Sequence, residues 1–136
     1  MRFRPEQHIR HSACFQRIRA YGVFSEQRAF VLYYHHRDSS EASIGTDKPR
    51  LGVIASRRVG NAVKRNRAKR KIRELFRSNQ TSLPFHSDVV IIIRKHFYQY
   101  SHSSLQSHFL RGIDLCQQKR IKIPAKKSYQ SSSGSA

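Results

Sequence analysis

The sequence predicts an α+β fold: a single small domain with a sheet of roughly four strands packed against three helices. Three observations predict it. The 136 residues suit one hydrophobic core and are too few for two comfortable ones. Hydrophobic residues make up 38% of the chain, which is ample for a folded core and excludes a wholly disordered polycation. Stretches with a period of two and rich in β-forming residues alternate with stretches whose apolar residues recur at helical spacing.

Residues 1–11, "MRFRPEQHIRH", are basic and interrupted by Pro5, which predicts an extended or loosely packed arm ahead of the domain. They carry no apolar signal-peptide core, and no run in the chain approaches transmembrane length, so the expected location is cytoplasmic. The domain is expected over 12–121. "SACFQRIRAYG" (12–22) predicts a helix capped by Ser12 and ended by Gly22. Phe15 and Ile18 share its apolar face, while Arg17 and Arg19 point elsewhere. "RAFVLYYHHR" (28–37) alternates as a strand, with Phe30, Leu32 and Tyr34 on one face and Val31, Tyr33 and His35 on the other.

"DSSEASIGTDKP" (38–49) is a polar loop. "RLGVIASRRV" (50–59) gives a second strand, with Leu51, Val53 and Ala55 opposite Ile54. Gly60 and Asn61 end it, and Asn61 is placed to cap a following helix. From Arg65 to residue 78 the period is helical: Ala68, Ile72, Leu75 and Phe76 form one apolar stripe. Asn66, Lys69, Arg70, Arg73 and Arg77 line one flank of it. "SNQTSLPFHS" (78–87) breaks the helix, and "DVVIIIRKH" (88–96) is apolar on both faces, as in a strand covered on both sides. Leu105, Phe109, Ile113 and Cys116 predict a last helix over 103–118. A further short strand completes the expected sheet. Residues 122–136 are a basic, Ser-rich stretch expected to be disordered.

The net charge is +19, from 27 Lys and Arg against 8 Asp and Glu. Such an excess destabilises the compact state by self-repulsion and points to a polyanionic partner, nucleic acid first and an anionic membrane surface second. Arginine outnumbers lysine, which favours recognition of phosphates and base edges by forked donors. The densest run, Lys64 to Arg77, is offset only by Glu74. A merely solvated helix face alternates its signs to gain pairs four residues apart. This one does not, so it reads as a binding face.

Other chemistries find little support. Eight histidines occur, but His35 and His36 point to opposite faces of a strand and no Cys or carboxylate cluster joins them, so no metal site is expected. No nucleophile elbow and no close carboxylate pair appears, so no catalytic residue is expected on the protein. Cys14 and Cys116 read as small half-buried hydrophobes rather than a disulfide framework. Tyr33 and Tyr34 are adjacent in one strand and must face opposite ways, which leaves one of them on an outer face, able to stack on an unpaired base.

With those residues placed, "LGVIASRRVGNAVKRNRAKRKIRELFR" (51–77) resembles the signature of the bacterial ribonuclease P protein family. The resemblance lies in Ser56-Arg57-Arg58, Gly60 to Val63, Arg65-Asn66-Arg67, and the helix carrying Lys69, Arg70, Arg73, Glu74, Phe76 and Arg77. Looser matches flank it over about residues 8–120. The resemblance implies a fold like that of ribosomal protein S5 domain 2, with a left-handed β–α–β crossover where physical rules favour the right-handed one. It implies a ribonucleoprotein subunit that assists removal of the 5′ leader from precursor tRNA. Catalytic magnesium would be held mainly by the RNA subunit, and the protein alone would be a monomer. Contacts to the catalytic RNA would come from Arg57, Arg58, Lys64, Arg65, Asn66, Arg67, Lys69, Arg70, Arg73 and Arg77. A cleft for the leader would be lined by Phe15 and Tyr33, with Arg58 near its basic edge. Arg19 stands where many relatives have an aromatic, so a phosphate contact would replace stacking there. The rival reading is a non-catalytic RNA-binding protein of ribosomal type, which needs the basic helix but no aromatic cleft.

Overall fold

Alternation along Phe30–His36 is realised as a central strand whose two faces meet different helices. The structure, a computed structural model, describes residues 3–38 and 46–122. Within them lie four strands, β1 (Val23–Glu26), β2 (Phe30–His36), β3 (Arg50–Ala55) and β4 (Ser87–Ile93). The helices are α1 (Ser12–Tyr21), α2 (Ala62–Asn79) and α3 (His102–Lys122). The sheet order is β1-β2-β4-β3. β2 is antiparallel to β1 and β4, whereas β3 and β4 run parallel and are joined through α2.

The doubly apolar run Val89–Ile93 explains the layering. Val89, Ile91 and Ile93 join Phe30, Leu32, Tyr34 and Leu51 in the main core beneath α2 and α3. Val90 and Ile92 face the other way, with Ile9, Ile18, Phe15, Tyr33 and Ile54 under α1. α2 contributes Ala68, Ile72, Leu75 and Phe76, and α3 contributes Leu105, Phe109, Ile113 and Cys116, all buried. Full burial of each large apolar side chain contributes about 1.5–3 kcal/mol, so these stripes hold the helices on the sheet. Burial also pushes the Cys116 thiol up to about 12, so it packs as a neutral group.

Several boundaries differ from expectation, each for a physical reason. Ser12 is the first residue of α1, and the cap position belongs to His11, whose carbonyl accepts from the Phe15 N–H at 3.3 Å. The fourth strand is Val23–Glu26, directly after Gly22. β3 stops at Ala55, and Arg57–Val59 form a 3-10 turn in which the Ser56 hydroxyl accepts from the Arg58 N–H. Gly60 follows with φ 144°, a conformation that favours glycine. α2 then starts three residues earlier than its apolar stripe indicates, because the Asn61 side chain accepts from the Lys64 N–H at 2.9 Å.

In the amino-terminal segment Pro5–Gln7 form a 3-10 turn, His8 and His11 are extended, and the segment is docked on the domain. Gln7 is buried and donates to the Pro49 carbonyl (2.8 Å) and to the Gln80 side chain (2.9 Å). The Ile9 N–H reaches the Leu51 carbonyl at 2.9 Å. Much of the polar loop expected over 38–49 lies outside the described residues, as does the tail expected over 122–136 apart from Lys122, the last residue of α3.

The sheet also buries charge. Asp88 accepts two hydrogen bonds from Arg50 (2.8 and 2.7 Å) and one from Arg37. Arg37 further donates to the carbonyls of Ser87, Thr46 and Lys48. Burial alone would lower the Arg50 pKa, but its hydrogen bonds and attraction to Asp88 outweigh that and leave it raised.

Candidate nucleic-acid interface

α2 is positioned by its apolar stripe, so the remaining arc of the helix faces solvent. Lys64, Asn66, Arg67, Arg70, Arg73 and Arg77 are exposed there, and Arg65 and Lys69 are half-buried. Asn66, Arg70, Arg73 and Arg77 follow one another at spacings of four, three and four, which sets them along one line of the helix surface. Among the described residues none of these cations forms an ion pair, and Glu74 neutralises none of them. The contrast with Arg37 and Arg50 is direct: the buried cations share a carboxylate, whereas these cations of α2 form no ion pair among the described residues.

The basic surface continues beyond the helix. Arg57 and Arg58 are exposed on the 3-10 turn that leads into α2. On the docked amino-terminal segment, His8 stacks on Phe3, which leans against Phe76 of α2. Burial holds the His8 pKa below its ordinary value, and the charges of Arg10 and Arg73 push it the same way.

The second feature lies on the opposite face of the sheet, beside α1. Phe15 is half-buried over Gly52, where an added Cβ would meet the ring at 2.5 Å, so glycine is what allows the ring to lie on the strand. Tyr33 is half-buried on β2. Arg19 is four residues after Phe15 and therefore on the same side of α1, and its guanidinium carbon sits 5.6 Å from the centre of the Tyr33 ring. The reading that turned Arg19 away from the apolar face gives way here. Phe24, absent from the sequence reading, pairs with Tyr33 across β1 and β2, with ring centres 5.5 Å apart. Lys119 from α3 lies over the Phe24 ring, its ammonium 5.1 Å from the ring centre, and donates to the Phe24 carbonyl. The result is a row of half-open aromatic rings with a cation on two of them, floored by Ile54, Val90 and Ile92.

The turn at Arg57–Val59 links the two features, since it joins the strand bearing Ile54 to the first turn of α2. A cationic helix face and a row of half-open aromatic rings on one α+β sheet fit the class of small RNA-binding proteins. Comparison with known proteins makes the assignment particular. The chain belongs to the ribonuclease P protein family, whose model, Ribonuclease P, matches residues 3–116. A ribonuclease P protein component of Syntrophobacter fumaroxidans is 36% identical over 94 residues, which cover 68% of this chain and 73% of the relative. That of Streptococcus agalactiae serotype III is 33% identical over 101 residues, or 74% and 85%. Among solved structures, the Staphylococcus aureus RNase P protein aligns with a TM-score of 0.67 at 31% identity, covering 80% of this chain and 94% of that one. The Thermotoga maritima RNase P protein gives 0.64 at 28% identity, over 82% and 96%. Membership makes the chain part of the ribonuclease P holoenzyme, which processes tRNA 5′ ends, and makes the ribonuclease P RNA its partner. Among the described residues no helix is long and apolar enough to cross a membrane.

Proposed function

We propose that α2 and the turn before it bind the ribonuclease P RNA, while the cleft beside α1 takes the single-stranded 5′ leader of precursor tRNA. The observation that carries this reading is the sorting of charge on α2: the helix is fixed by a buried stripe while its outer cations have no acid to pair with among the described residues. Arg57, Arg58, Lys64, Arg65, Asn66, Arg67, Lys69, Arg70, Arg73 and Arg77 supply the contacts, and each neutralised phosphate releases counterions. In the cleft, Phe15, Tyr33 and Phe24 offer ring faces with little sequence preference, and Arg19 offers a phosphate contact beside Tyr33.

Among the described residues no three His, Cys, Asp or Glu side chains gather into a set that would hold a metal ion. We assign the catalytic magnesium to the RNA subunit, a reading supported by membership of the ribonuclease P protein family. The protein's part is to raise substrate affinity and screen phosphate repulsion in the cytoplasm, where tRNA is matured.

Tyr33→Ala tests the cleft. It should weaken binding of precursor tRNA by about five- to hundred-fold, the loss of one base–aromatic stack, and leave mature tRNA binding unchanged. Equal losses for both tRNAs would remove the leader from the cleft and favour a purely structural RNA-binding role.

A further inference from the structure

We infer that Tyr98 is a stacking platform for an unpaired base of the ribonuclease P RNA, set beside the cationic face of α2. The inference rests on the assignment of α2 to that RNA. Tyr98 lies in a 3-10 turn, Phe97–Gln99, between β4 and α3. Its position is fixed from two sides. Phe97 is buried in the main core and meets the Tyr98 ring edge-on, with centres 5.7 Å apart. The Tyr98 hydroxyl donates to the carbonyl of Lys64 in the first turn of α2. Between these anchors Tyr98 is 41% exposed.

A tyrosine has two rotatable side-chain bonds, and here packing and a hydrogen bond hold the ring before any partner arrives. A base that stacks on it therefore gains contact area at little entropic cost. Its surroundings match that ligand. Arg67 is near enough for its charge to act on the phenol: burial raises the Tyr98 pKa and Arg67 opposes the rise, leaving a neutral donor at neutral pH. Val63 is 66% exposed and precedes Arg67 by four residues, on the same side of the helix. A fixed aromatic ring thus stands beside the α2 face that carries Val63 and Arg67, a guanidinium with no ion pair among the described residues, a combination that takes a base face and its phosphate together. Tyr98 is tied to α2, whereas the cleft lies across the sheet beside α1. The base therefore belongs to the RNA that α2 engages and not to the leader.

The test uses the full chain and the ribonuclease P RNA. Tyr98→Ala should weaken binding about five- to hundred-fold at fixed salt, and the salt slope should not change because no charge is removed. Tyr98→Phe keeps the ring and should stay within about twofold of the original. The chain contains no tryptophan, so Tyr98→Trp introduces a single emitter. Its fluorescence should be quenched by the ribonuclease P RNA and not by a leader oligonucleotide. Equal losses in Tyr98→Phe and Tyr98→Ala would reduce the residue to a strut for α2 and overturn the inference. So would an emission from Tyr98→Trp that the RNA leaves unchanged, or that only the leader quenches. If the original chain fails to bind the RNA, the parent assignment falls; binding that ignores every Tyr98 variant removes this inference alone.

Discussion

Asp88→Asn should destabilise the protein by about 3–5 kcal/mol, read as a shift in the midpoint of urea unfolding. Asp88 is buried between Arg37 and Arg50, and those three are the only buried charged side chains among the described residues. Asparagine keeps the shape and loses the charge, leaving two buried cations without a counter-ion. Removing one partner from such a set costs more than the set contributes when intact, because the remaining charge stays desolvated. The damage should spread to the segment at Thr46 and Lys48, whose carbonyls Arg37 holds at 2.9 and 3.1 Å. Asp114, exposed on α3 and accepting from the Gln118 side chain, is the control, and Asp114→Asn should stay within about 0.5 kcal/mol of the original. A loss below about 1 kcal/mol for Asp88→Asn would mean that water solvates the arginines.

The cations of α2 should behave in the opposite way. Replacing Arg67, Arg70 and Arg73 together with alanine should lower the slope of log K against log salt for ribonuclease P RNA by about two to three, close to one phosphate contact per residue. Folding stability should hold or rise, because exposed like charges with no acid partner repel one another in the free protein. An unchanged slope would show that these side chains stay solvated in the complex. A large loss of stability would show that they serve the fold instead. Measured side by side, the Asp88 and α2 variants separate charges that hold the fold from charges that hold the partner.

That separation marks where the sequence could be read and where it could not. The α2 face was legible because Ala68, Ile72, Leu75 and Phe76 fix the helix phase, and the phase fixes where Arg70 and Arg73 point. The faces of β2 and β3 were legible for the same reason, with a period of two, whereas β4 showed only an apolar run covered on both sides. β1 is only four residues, Val23–Glu26, too short for any period to show. Missing it also hid Phe24, which joins Tyr33 only through strand pairing. Apolar and basic residues run on past Ala55 without a break, so the turn at Arg57–Val59 had no local signal beyond Ser56. Arg37, Arg50 and Asp88 carry no local sign of their pairing, because the partners are far apart in sequence. Gln7 likewise gives no sign in sequence that Pro49 and Gln80 bury it.

We propose that the cationic face of α2 lets the ribonuclease P RNA work where phosphate repulsion would otherwise stop it. The most direct measurement adds the purified chain to ribonuclease P RNA and precursor tRNA at a magnesium concentration too low for the RNA alone. The account predicts that leader removal is restored, and that the Arg67, Arg70 and Arg73 triple variant restores it only at lower salt. No stimulation by the original chain at any salt concentration would contradict it.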